Sequence, residues 1–201
     1  MGFLKRIQYN SPVILTFALL SFAALLMALI SGGQSNALLF SVYRSSFADP
    51  LAYVRVFTHV LGHTGLDHYF GNFMLILLLG PIIEEKYGSL RMLAMILITS
   101  FITGLMNIIL FPHTALLGAS GIVFMLIILS SFVNLQSKRI PVTFILVVCI
   151  FIGQEIINGV GVQDNISQLA HIVGGVCGGG IGYYMNREKL KPADPAQIPP
   201  V

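Results

Sequence analysis

Four polar side chains stand in apolar surroundings at positions that could support acyl transfer. Ser120 opens the run "LLGASGIVFMLIIL" (residues 116–129) between Gly118 and Gly121, and His171 lies in "AHIVGGVCGGGIGYY" (170–184). His68 and Asn72 sit four residues apart at the start of "LDHYFGNFMLILLLG" (66–80). A serine hydroxyl becomes a nucleophile when an imidazole takes its proton. Near a helix N-terminus the backbone N–H groups lack intrahelical partners, so Ser120 would have oxyanion donors at hand, its own N–H among them. Gly118 permits close backbone approach by another molecule. His68 and Asn72, at i and i+4, share one helical face, and both can donate to a developing oxyanion. Each residue also has a plainer reading. Ser120 could bond its own i−4 carbonyl, His171 a neighbouring helix, and His68 and Asn72 could act as a cap and a packing amide.

These residues must be positioned by elements made for lipid. The 201 residues are 56% hydrophobic and 9% charged, with a mean hydropathy of +0.86, which assigns the chain to the membrane class. A helix needs roughly 20 apolar residues to cross about 30 Å of hydrocarbon. Six stretches approach that length: 13–31, 68–83, 91–111, 117–135, 140–158 and 166–184. The expected fold is therefore an all-α membrane protein of six transmembrane helices in one domain over residues 1–201. One long connection runs from Ser31 to about Asp67, and a proline-rich, disordered tail is expected over about 190–201. The apolar stretch after Lys5 and Arg6 is longer than the core of a signal peptide and reads as a retained first span. Lysine and arginine set the orientation. With a cytoplasmic N-terminus, that side holds Lys5, Arg6, Lys86, Arg91, Lys138, Arg139, Arg187, Lys189 and Lys191, leaving Arg44 and Arg55 outside. Both termini are then cytoplasmic, and spans two, four and six begin on the external side.

That topology sets Ser120, His171, His68 and Asn72 in one shallow outer layer, so convergence is geometrically open to them. Gly174, Gly175 and Gly178 fall at i+3, i+4 and i+7 from His171, a face that lets two helices approach closely. If the partner is the fourth helix, imidazole and hydroxyl come within reach. His59, His63 and His68 invite a metal reading, but "HVLGH" lacks the acid of a metalloprotease motif. The net charge of +3 is too small and scattered for a nucleic-acid surface. Cys149 and Cys177 read as small packing residues.

In "GASG" (118–121), "AHIVGGVCG" (170–178) and "HYFGN" (68–72), taken in their order on three helices, the chain resembles the rhomboid intramembrane serine proteases. "RVFTHVLGHTGLDH" is similar to that family's first external loop, with its arginine at Arg55, and "GPIIEEKYG" to its turn after the second span, with its acid at Glu84. The resemblance implies a six-helix rhomboid-like bundle, Ser120 as nucleophile and His171 as base. It implies an oxyanion hole of His68, Asn72 and the Ser120 backbone N–H, supported by Gly118, Gly121, Phe124, Gly174 and Gly178. It further implies a water-filled cavity open to the outside, no metal or cofactor, and single-span membrane proteins as substrates of a multi-pass protein; the compactness of the chain, for its part, suggests a prokaryotic plasma membrane. Two residues depart from the family pattern. Val54 stands where a tryptophan commonly precedes the loop arginine, and Phe124 stands where many members carry tyrosine. A catalytically silent rhomboid-like protein that binds membrane helices is the alternative within the family, although such relatives typically lack the serine or the histidine. A small channel or transporter would call for internal repeats or paired intramembrane charges, and the sequence has neither.

Overall fold

The structure, a computed structural model, describes residues 10–133, 142, 145–146, 149 and 165–190. Within them the chain is helical, with no strand beyond one isolated bridge between Val42 and Leu116. Helix α1 spans Pro12–Ile30, α2 Gln34–Leu39, α3 Pro50–Thr58, α4 Leu66–Tyr87, α5 Ser89–Leu110, α6 Ser120–Val133 and α7 Asn165–Leu190, with a 3-10 turn at His59–Leu61. Three of these, α1, α4 and α5, are long and apolar enough to cross a membrane. The expected fifth span, 140–158, lies largely outside the described residues, as does the tail beyond Leu190.

The outer surface of the bundle is apolar, unlike that of a soluble protein, and part of its interior is polar. Leu19, Leu26, Met74, Leu78, Leu97 and Ile98 are exposed on the outer faces of α1, α4 and α5. Thr99, Thr103 and Asn107, at i, i+4 and i+8 of α5, are buried. Lipid solvates leucine as well as the interior does, so polar groups gather where other protein groups can bond them. Thr103 Oγ1 donates to the Thr99 carbonyl at 2.8 Å and Ser100 Oγ to that of Ile96 at 2.7 Å, which satisfies both hydroxyls within their own helix.

Helix α6 is the core of the bundle. Every residue from Gly121 to Leu126 is buried, as is Leu129. The described helix starts at Ser120 and not at 117, because Gly118 takes φ +126°, outside any helical conformation. At the other end of α4, the helix continues through the charged "EEKY" that a hydropathy reading would exclude. Glu84, 2% exposed, accepts from the backbone N–H groups of Val13 and Ile14 at 3.0 Å each and from Ser89 Oγ at 2.7 Å. One carboxylate thus satisfies orphan donors at the start of α1, where the helix dipole favours negative charge, and joins α4, α1 and α5.

The connection from Ser31 to Gly65 is structured. Asp49 caps α3 by accepting from Leu51 N–H at 3.0 Å, with Pro50 at the first helical position. Arg55, 2% exposed, pairs with Asp49, reaches Ser45 Oγ at 3.1 Å and lies over the Tyr43 ring at 4.4 Å. The Asp49 carboxyl is held below its ordinary range, first by the hydrogen bond from Arg55.

Candidate active site

Ser120 is the first residue of α6, and the loop that delivers it is fixed at several points. Val42 and Leu116 exchange backbone hydrogen bonds at 2.9 Å each. The Gly118 N–H donates to the His59 carbonyl at 2.9 Å, and Asn107 Nδ2 donates to the carbonyls of Val42 at 3.2 Å and Thr114 at 3.3 Å. The result is depth. A Cβ on Gly121 would lie 3.1 Å from Thr103 Cγ2, so the start of α6 is level with Thr103. That threonine lies seven residues, or roughly 10 Å, below the loop-bearing end of α5 at Leu110. His59 sits at the same level, its Nε2 3.3 Å from Thr103 Oγ1. Hence the connection before α4 descends into the bundle together with the loop before α6.

Helices α6 and α7 meet through glycine. A Cβ on Gly174 would collide with the Gly121 carbonyl, 2.8 Å from its carbon, and one on Gly178 would stand 3.0 Å from Met125 Cα. No other residue allows this approach without separating the helices. The close contact carries His171 onto the face of α6 that bears Ser120 and, one turn later, Phe124. The imidazole stacks on the Phe124 ring with centroids 4.3 Å apart and planes 2° from parallel. Phe124 therefore fixes the plane of the ring by apolar contact, with no hydroxyl to bond it.

His68 faces the same loop from α4. Its Nδ1 accepts from the Thr64 N–H at 3.5 Å and lies 3.2 Å from Thr64 Oγ1. With Nδ1 accepting, the neutral ring carries its proton on Nε2. That nitrogen and the adjoining Cε1 form the edge turned to Gly118, each 2.9 Å from where a Cβ would be. The His68 and His171 rings also lie within electrostatic reach of one another. Asn72, 8% exposed, is on the same face of α4, and its Nδ2 lies 3.2 Å from His63 Nε2.

The structure thus groups Gly118, Ser120, Gly121, Phe124, His171, Gly174 and His68 around one junction of α4, α6 and α7. Asn72 is adjoined to them through His63, a residue that the sequence offers as a metal-ligand candidate and as part of the run "RVFTHVLGHTGLDH" but not as a partner of Asn72. Among the described residues no three His, Cys, Asp or Glu side chains gather as a metal site. The profile of the Rhomboid domain matches residues 50–188, well over half of the chain. The chain belongs to the rhomboid family. A search of curated proteins finds no match. As a rhomboid it is a membrane protein, an intramembrane protease or a pseudoprotease of that kind, and the family is typically one of serine proteases. The rhomboid match begins at Pro50, so α3 and the turn that leads into α4 lie within the domain.

Proposed function

We propose that this rhomboid is an active serine endopeptidase that cuts single-span membrane proteins in or near their transmembrane segments. The observation that carries the proposal is the imidazole of His171, stacked flat on Phe124 one turn beyond Ser120, on a helix held against α6 by Gly121 and Gly174. In this reaction His171 takes the proton of the Ser120 hydroxyl as Oγ attacks the substrate carbonyl. The electron pair of the carbonyl moves onto oxygen, and the resulting oxyanion is met by His68 Nε2–H, Asn72 and the Ser120 N–H. The imidazolium then protonates the departing amine as the C–N bond breaks, and water, activated by the same imidazole, releases the acyl group.

Depth gives this chemistry its substrate class. A serine about 10 Å below the loop-bearing end of the bundle meets peptide bonds that lie within the outer leaflet. A substrate helix keeps those bonds in its own hydrogen bonds, so segments that unwind easily are the ones cleaved. With both termini cytoplasmic, as the distribution of lysine and arginine favours, the site opens to the external side of a prokaryotic plasma membrane.

The test is labelling by a fluorophosphonate probe and cleavage of a fluorogenic single-span peptide with alanine before the cut, both in detergent. Wild type is expected to react at Ser120 and to turn over. Ser120→Ala and His171→Ala are expected to do neither, and full cleavage by Ser120→Ala would exclude the mechanism. Asn72→Ala should slow turnover by about 100- to 1,000-fold without abolishing it.

A further inference from the structure

His63 is a buried titratable side chain beside the site, 0% exposed, and the reaction as written makes no use of it. Its ring is pinned on all sides. Nδ1 lies 3.1 Å from the Leu61 carbonyl, an oxygen that can only accept, so Nδ1 carries the proton. Burial holds the imidazole neutral, its pKa pushed down to about 4. Nε2 is then a bare acceptor, and the group 3.2 Å from it must donate, which is Asn72 Nδ2. The His68 ring stands edge-on at 4.9 Å, and Tyr69 and Phe73 close the other sides at 5.5 and 5.6 Å. The His63 backbone is fixed as well, because Asn36 Nδ2 of α2 donates to its carbonyl at 2.9 Å.

We infer that His63 is a positioning residue: its Leu61-anchored tautomer orients the Asn72 amide, so that the NH₂ end, and not the carbonyl end, faces the oxyanion. An asparagine side chain can turn over by 180° with little change in shape, and the two orientations have opposite chemistry. With the NH₂ end forward, one N–H is held by His63 and the second remains for the substrate. With the carbonyl end forward, the same side chain would repel the negative oxygen. A partner able only to accept decides between them. The reasoning rests on the protease reading of the site, since an oriented donor has a use only where an oxyanion forms. The role is distinct from catalysis, because His63 touches Asn72 and not the reacting atoms.

The experiment is a double-mutant cycle on the full chain in detergent, with kcat and KM measured on the fluorogenic single-span peptide for wild type, Asn72→Ala, His63→Leu and the double variant. His63→Leu is expected to lower kcat 10- to 100-fold with KM changed less than threefold, and to change kcat less than threefold when Asn72 is already alanine. His63→Gln, whose amide oxygen can stand where Nε2 stood, is expected to recover at least a third of the wild-type kcat. If His63→Leu does not fold, His63→Gln in the two Asn72 backgrounds carries the test. A His63→Leu loss of equal size in both backgrounds, or for the glutamine variant a tenfold or greater loss of kcat relative to its own parent in both, overturns the inference. Ser120→Ala is run alongside. Cleavage that survives it would sink the protease reading, whereas abolished cleavage with additive His63 and Asn72 effects would sink only the positioning role.

Discussion

At the level of single residues, the candidate site depends on where a Cβ is missing. Gly118 has φ +126° and would direct a Cβ at His68 Cε1 and Nε2, 2.9 Å from each. Alanine there meets two costs together, a backbone conformation worth about 1–3 kcal/mol to a non-glycine residue and displacement of the His68 ring. Gly71, between His68 and Asn72 on α4, has open space around its Cβ position and an ordinary φ. Gly118→Ala should therefore lower kcat at least tenfold and reduce thermal stability, while Gly71→Ala, in the same helix as the candidate donors, should leave both within a factor of two or improve stability slightly. Turnover of the fluorogenic peptide and the unfolding midpoint in detergent check the pair. Equal effects of the two substitutions would mean that His68 is not held by the Gly118 loop. The glycines around Ser120 and after His171 were conspicuous in the sequence because lipid-facing helices have no need of them. His63 was not, since its meaning lies in a contact nine residues away that no local pattern announces.

At the level of elements, hydropathy was a sound guide wherever a helix meets lipid and a poor one wherever it meets protein. The runs 13–31 and 91–111 fall within a residue or two of α1 and α5, because the length of an apolar stretch is set by the bilayer. The end of α4 escaped, because Glu84 is charged and yet buried, its cost offset by three donors that the sequence does not reveal. Helices α2 and α3 escaped because they are short, although Asp49-Pro50 is a readable helix start. The Glu84 junction offers a direct check. Glu84→Ala would strand the Val13 and Ile14 N–H groups and the Ser89 hydroxyl, and hydrogen bonds to a charged group are worth roughly 1.5–3 kcal/mol each. A loss of about 2–4 kcal/mol is expected, read as a lower unfolding midpoint. Glu85→Ala, one residue along and exposed, should cost less than 1 kcal/mol. Matching midpoints for the two variants would refute the three-way junction.

Across the whole molecule, the connection before α4 and the loop before α6 descend together, so they carry ionisable groups into the interior. His59 and His63, 1% and 0% exposed, lie on that connection, and burial pushes each pKa down to about 4 from an ordinary 6.5. The direction of the pH effect follows from proton counts. Between those values the unfolded chain binds protons that the folded chain refuses, so stability is complete above about pH 6.5 and falls as the pH drops toward 4. Each imidazole contributes about 3 kcal/mol to that fall, since one pKa unit corresponds to 1.36 kcal/mol. The Asp49 carboxyl, held low by Arg55, adds its own loss only at more acidic pH, as it protonates and releases the arginine. The group nearest His63 that can also charge is His68, which opposes a proton on it and so works in the same sense. Unfolding midpoints of Ser120→Ala, used to avoid self-cleavage, should therefore drop steadily from pH 7 to pH 4.5 in detergent. His63→Gln on that background should flatten about half of the slope, because an amide takes no proton in this range. A midpoint independent of pH would mean that these imidazoles reach water in the folded protein, and the two loops would then not descend into the bundle as a unit.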